Sequence, residues 1–235
     1  ELPGVRLAAT HRVGALAGDR ELPPERLGLG AGGHARLEVP RHLVEAVDQP
    51  RELVVPAELR RELLASLGLE FTVDPVPTDE SVAPGESPEA YVERVARAKL
   101  EAALAHLSAL HPDSFVLTGD TTVVLGDRIL GKPEDDAEAL SMLASLMGRS
   151  HRVLTGMGIG TRSRGPIEVE LVSTEVRFRA ATPDEIARYV ATGEGRDKAG
   201  SYAIQGIGGG FVEGIVGSYS NVVGLPVAET LGLLR

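Results

Sequence analysis

The chain has 235 residues, a net charge of −10 and no cysteine. That length holds one large domain or two small ones, with apolar residues enough for a core. The lack of thiols excludes disulfides, thiolate catalysis and cysteine-ligated zinc, and the excess of acid argues against duplex nucleic acid, which needs a basic face.

No apolar run approaches the roughly 18 residues of a membrane span, and the acidic, proline-broken start has no basic segment leading into an apolar one. The sequence therefore predicts a cytoplasmic protein with no membrane partner. Residues 1–50 read as an N-terminal extension, poorly structured or accessory, because Glu21-Leu22-Pro23-Pro24 and the glycines from Gly28 to Gly33 interrupt any period. Gly28, Gly30 and Gly33 match the spacing of a dinucleotide fingerprint, but Pro23-Pro24 stand where its strand is required, so the match is read as fortuitous. The folded domain is placed at 51–235.

Within it, Arg60 to Leu67 reads as a helix stopped by Gly68, and Glu70 to Val73 as a strand entering a proline-broken loop that carries Asp79 and Glu80. Ser87 caps a long helix with Pro88 at its first position. Val92, Val95, Ala96, Lys99 and Ala103 follow helical spacing, so Lys99 sits in the apolar stripe. It points into a cleft, or it lays its stem on apolar surface with its head in water. Phe115 to Leu117 reads as a strand ending at Gly119-Asp120, followed by a hairpin through Thr121 to Leu125, Gly126-Asp127 and Arg128 to Leu130. Asp120 is then a ligand- or catalysis-bearing strand end, or an aspartate closing a turn through its own backbone.

Beyond Lys132-Pro133 a helix with Ala139, Leu140, Leu143 and Met147 runs to Gly148. Val153-Leu154 and Glu168 to Phe178 read as strands, and Gly156-x-Gly158-x-Gly160 as a strand packed closely on its neighbour. His151 has no second histidine at metal spacing and reads as a hydrogen-bonded structural residue. Thr182-Pro183-Asp184-Glu185 is a capping box opening a helix to about Thr192. Helices interleave with strands and hairpins, which predicts a mixed α/β sheet protein.

Only three of the 24 cationic residues are lysines: Lys99, Lys132 and Lys198. A lysine is a compact point charge suited to phosphate, whereas arginine prefers planar pairing. The three either answer a phosphate ligand or are chance survivors of an arginine-biased composition. The net negative charge means that an anionic ligand would need a local positive pocket.

Several segments in order carry a more specific signal. Gly119-Asp120-Thr121-Thr122-Val123-Val124, Gly131-Lys132-Pro133, Gly148-Arg149-Ser150-His151-Arg152-Val153-Leu154-Thr155-Gly156, Gly200-Ser201-Tyr202-Ala203-Ile204-Gln205-Gly206 and Gly217-Ser218-Tyr219-Ser220-Asn221-Val222-Val223-Gly224-Leu225-Pro226 resemble the Maf family of nucleoside triphosphate pyrophosphatases, from about residue 59 to the end. The resemblance implies a two-lobed α/β fold with a central cleft, related to the inosine triphosphate pyrophosphatases. It also implies hydrolysis of a nucleoside triphosphate to the monophosphate and pyrophosphate, and a homodimer.

By the same resemblance Asp120 is the proton acceptor, Glu80 and Asp120 help hold a divalent metal, Lys99 and Lys132 face the phosphates, and Gln205 helps read the base. Thr121 after Asp120 is the pattern of the branch acting on dTTP and UTP. Carboxylates with substrate phosphates suit Mg2+, or Mn2+, better than zinc. One segment departs from the family. Its Ser-x-Ser-Pro-Arg-Arg opening is replaced by Val55-Pro56-Ala57-Glu58-Leu59-Arg60, in which Arg60 alone matches and Glu58 brings a negative charge toward the phosphates. Like charge weakens such binding, so the alternative expectation is a catalytically weak nucleotide-binding regulatory protein linked to cell division.

Overall fold

The structure, a computed structural model, describes residues 53–55, 61–69, 71–73, 75–106, 114–163 and 165–234. The extension drawn at 1–50 lies outside them, as do Glu58 and Arg60. The strands are β1 (Leu53–Val55), β2 (Thr72–Val73), β3 (Phe115–Leu125), β4 (Arg128–Leu130), β5 (Ser150–Thr161), β6 (Gly165–Phe178) and β7 (Val212–Val216). The helices are α1 (Arg61–Ser66), α2 (Pro88–His106), α3 (Asp136–Leu146), α4 (Pro183–Ala191), α5 (Tyr219–Val223) and α6 (Val227–Leu233). The strands make one mixed sheet in the order β2-β1-β3-β5-β6-β7, with β4 on the outer half of β3. β1 pairs in parallel with β2 and β3; β3, β4, β5, β6 and β7 pair antiparallel. This is the mixed α/β class that the alternating pattern predicts.

Period-two alternation along β3 divides the molecule. Val116, Thr118, Asp120 and Val124 face α2: Val116 packs with Leu100 and Ala103, Val124 with Tyr91, Val92 and Val95, and the Thr118 hydroxyl donates to Ala96 O. Helix α2 starts where Ser87 Oγ accepts from Ala90 N, with Pro88 at its first position. Its closeness to the sheet depends on missing side chains. A Cβ on Gly156 would stand 2.8 Å from Val92 O, and one on Gly158 would stand 2.9 Å from Thr118 Oγ1. The neighbour on which these glycines pack is therefore the helix.

The opposite face carries two apolar clusters, one toward each end of the long strands. Val123, Val153, Val176 and Phe178 join α3 and α4 at one end; Leu117, Met157 and Ile159 join α1 and α6 at the other. A polar seam divides them. Thr121 Oγ1 and Thr155 Oγ1 share a hydrogen bond of 2.9 Å, and the buried Asn221 donates through Nδ2 to Val153 O and Thr174 Oγ1.

Two sequence expectations change. β3 does not end at Asp120 but continues unbroken to Leu125, so Asp120 lies mid-strand and closes no turn. Val153-Leu154 is part of a twelve-residue strand, Ser150–Thr161, in which α2 favours glycine where strand propensity alone would not. The helix starting at Thr182 has both halves of its capping box, with Thr182 Oγ1 accepting from Glu185 N and Glu185 Oε2 accepting from Thr182 N.

Candidate functional site

The site lies where β3 loses its outer neighbours. β1 pairs with Phe115 and Val116, and β4 pairs with Val123, Val124 and Leu125. Between them, from Leu117 to Thr122, no strand among the described residues covers that edge. The chain leaves β1 at Val55, level with Leu117, and leaves β4 through Gly131-Lys132, beyond the Leu130–Val123 pair. Two strand ends thus open onto one window, and such switch points in α/β sheets are where ligands bind.

Asp120 is in that window, on the α2 face. Lys99 Nζ donates to its Oδ1 at 2.7 Å and makes a second ion pair of 2.7 Å with Glu80 Oε1. The side chains of Lys99 and Asp120 are 17% and 11% exposed, whereas Glu80 is 51% exposed, so the cluster is closed beneath and open above. Lys99 therefore points inward, as its place in the apolar stripe requires, and meets acid where the stripe would otherwise meet hydrocarbon.

Glu80 reaches the site because its loop is tied to α2. Tyr91 OH donates to Glu80 O at 3.1 Å, Arg94 Nη2 donates to Ser81 O at 2.8 Å, and Arg94 also grips the Glu86 carboxylate. The Arg94 hydrogen bond holds Glu86 down to about 2. Burial, reinforced by the nearby charges of Asp120 and Glu80, pushes the Tyr91 hydroxyl up to about 12, so it stays a neutral donor.

Among the described residues no group of three or more His, Cys, Asp or Glu converges as a metal cage. Glu80 and Asp120 make an all-oxygen pair gathered around one cation, the ammonium of Lys99. That donor set fits a hard ion bound through one or two carboxylates with the rest of its shell taken from phosphate and water. It does not fit zinc, which takes nitrogen and sulfur and a fuller protein shell.

The remaining expected residues are placed separately. Thr121 points to the face opposite Asp120, into the seam with Thr155. Lys132 is exposed beside Asp197, whose carboxyl is held low first by its hydrogen bond from Lys198 and also by the charge of Lys132. Gly200 N donates to Gly131 O, which joins the Lys132 and Lys198 segments. Gln205 stands exposed on the turn after Tyr202. Arg60 lies outside the described residues.

Sequence reasoning missed Glu194. Its Oε1 accepts from Ile207 N at 2.8 Å and its Oε2 from Gly208 N at 2.9 Å, while Tyr189 OH accepts from Ala203 N. A Cβ on Gly206 would run into the same carboxylate. The segment carrying Gln205 is thus clamped by one acid and two glycines. The signal was there, in a lone glutamate after Gly193 and a glycine-rich run beginning at Gly206, but backbone donors leave no mark on side-chain patterns. Burial opposes ionisation of Glu194; the hydrogen bonds from Gly208, Ile207 and Tyr189 outweigh it and lower its pKa.

Comparison with known proteins agrees with these motifs. A protein from Anaeromyxobacter sp. (strain Fw109-5) named dTTP/UTP pyrophosphatase is 55% identical over 179 residues, covering 75% of this chain and 83% of that one. One of the same name from Methylobacillus flagellatus is 51% identical over 176 residues, covering 75% and 86%. A solved nucleoside-triphosphatase, named dITP/XTP pyrophosphatase, from Mycobacterium abscessus is 14% identical, with 54% of this chain and 72% of that one covered at a TM-score of 0.31, at which the likeness carries no argument. The family model described as Maf-like protein matches residues 57–235, which include the ion cluster and the Glu194 clamp, and on that match the chain belongs to the Maf family.

Proposed function

We infer that this protein is a nucleoside triphosphate pyrophosphatase that converts dTTP and UTP to the monophosphate and pyrophosphate. The observation that carries the reading is the meeting of Lys99, Asp120 and Glu80 from a helix, a strand and a loop at one half-open point. Relatives about 50% identical that bear the name dTTP/UTP pyrophosphatase support the substrate class. The regulatory, weakly catalytic alternative is not favoured, since those relatives are named as enzymes and the acid and cation expected for hydrolysis converge here.

In the reaction a water oxygen bonds to the α-phosphorus, the bond from that phosphorus to the oxygen bridging to the β-phosphorus breaks, and pyrophosphate leaves with the bridging oxygen. Asp120 takes the water proton as the new bond forms. In the free protein its Oδ1 is held by Lys99, which sets where the carboxylate stands before substrate arrives. Lys99 and Lys132 offset phosphate charge, with Arg60 a third cation for the same task. Gln205 reads the base through its amide, held by the Glu194 clamp. Thr121, on the other face of β3, acts on the substrate through the strand, by setting how β3 presents Asp120. Glu80 and Asp120 would hold a magnesium ion, or manganese, which would supply charge neutralisation at the phosphates and the leaving pyrophosphate. The reading also carries a homodimer and a cytoplasmic setting, where nucleoside triphosphates are made and used.

Pyrophosphate release from a panel of nucleoside triphosphates with Mg2+ tests the reading. Asp120→Asn is expected to lower kcat by about a hundredfold or more with its circular dichroism unchanged. Near-normal release by that variant, or none from dTTP and UTP by the wild type, overturns it.

A further inference from the structure

Lys99 is the only cation within ion-pair distance of Glu80 or Asp120 among the described residues, and one nitrogen serves both. An ammonium carries three donors on a single atom, so it draws the two carboxylate oxygens onto a small sphere around Nζ. That gathering of oxygens about a point is what a small hard cation imposes on its ligands. The ammonium therefore stands where the carboxylates converge, and a guanidinium, with its planar fork, would spread them apart.

We propose that Lys99 is a place-holder: it keeps the Glu80–Asp120 pair closed to a metal ion until a triphosphate draws the ammonium away, so that metal and nucleotide load together. The inference rests on the reading of those two carboxylates as the metal-holding pair. A divalent ion arriving alone must displace a bound cation or sit against it, and both oppose binding. A triphosphate removes the obstacle, since it offers the ammonium a more highly charged partner.

The structure provides the freedom this requires. Lys99 reaches the site on a flexible four-carbon stem, and Glu80 is half exposed, whereas Asp120 is fixed in the middle of β3. Lys99 can swing away without moving the strand or the helix. By linkage the coupling works both ways: whatever factor the nucleotide adds to metal affinity, the metal adds to nucleotide affinity.

The test uses Mn2+ alone, with the intact chain and no nucleotide, with binding followed by electron paramagnetic resonance of the free ion. Lys99→Gln is expected to bind Mn2+ tenfold or more tightly than the wild type. Lys198→Gln, which loses the same charge away from the pair, is expected to change affinity less than twofold, and Lys99→Gln combined with Glu80→Gln to lose the gain. The proposal is overturned if Lys99→Gln binds no more tightly than wild type, if Lys198→Gln gains as much, or if the double variant keeps the gain.

A second measurement needs no variant. With only three lysines in the chain, 13C-labelled lysine gives three Cε signals, and equimolar Mn2+ should broaden that of Lys99 in the presence of an α,β-methylene dUTP analogue and leave it sharp in its absence. Equal broadening without the analogue overturns the proposal. Neither readout is turnover. A protein that releases no pyrophosphate yet shows the Lys99→Gln gain loses the pyrophosphatase reading and keeps the place-holder; the reverse pair of results does the opposite.

Discussion

Gly156→Ala tests how closely α2 must lie on the sheet for Lys99 to meet Asp120. The added methyl would stand 2.8 Å from Val92 O, 2.9 Å from Val92 Cγ1 and 3.0 Å from Ala96 Cβ. A backbone carbonyl in a helix cannot turn aside, so α2 must lift by roughly half an ångström, with a destabilisation of about 2 kcal/mol, within the range for overpacked cores. For a domain of this size that is a fall in Tm of roughly 4–8 °C. Urea unfolding with an unchanged m-value is the assay. Val92 lies two helical turns before Lys99, so the same lift should loosen the ion pair and lower kcat/KM for pyrophosphate release several-fold. Gly232→Ala is the control of opposite sign. It lies in α6 with nothing within 4 Å of the new Cβ, and should stabilise by about 0.5–1 kcal/mol with no kinetic effect. A Gly156→Ala protein within about 0.5 kcal/mol of wild type would refute the argument that this glycine sets the helix-to-sheet distance.

Two pH effects follow from buried groups. Burial pushes His151 down to about 4; its Nε2 meets Tyr202 OH at 2.8 Å and its Nδ1 has no partner among the described residues. An unfolded histidine titrates near 6.5, so below that the unfolded chain binds the extra proton. Stability from this group is full above about pH 6.5 and falls by on the order of 3 kcal/mol as pH drops toward 4. An imidazole titration by NMR with a midpoint near 6 would contradict this. Glu194 also titrates below its ordinary value, so its contribution is present at neutral pH and lost as pH falls through the carboxylate range. Glu194→Gln should cost about 1–2 kcal/mol at pH 7 and less at pH 4. A gap in urea midpoint that does not narrow in acid refutes the clamp.

The sequence was most legible where a residue's role depends on near neighbours. The apolar stripe placed Lys99 inward, Thr182 and Glu185 announced a capping box, and Gly68 and Gly148, at φ of +71° and +69°, mark the helix ends. What the stripe could not give was the partner of Lys99. Asp120 comes from a strand whose register with β5 is set by contacts distant in sequence, and the expectation that the strand ends there fails because Gly119 resembles a stop. In fact the Gly119–Met157 pair lies within a continuous ladder. Thr121 shows a signal overlooked. Period-two alternation puts it on the face opposite Asp120 wherever the two share a strand, and that is where its bond to Thr155 places it. The departure at Glu58 and Arg60 falls outside the described residues.

The stretch of β3 that no described strand pairs with, Leu117 to Thr122, bears on more than catalysis. Unpaired strand edges invite other chains to add to them, and proteins usually blunt them with charge, proline or brevity. Among the described residues β1 and β4 flank the gap from Leu117 to Thr122, and a carboxylate and an ammonium stand at its centre, charge of the kind that discourages a foreign strand. Leu117, Thr118, Asp120 and Thr122 are moreover buried, so the gap offers polymeric partners no accessible edge.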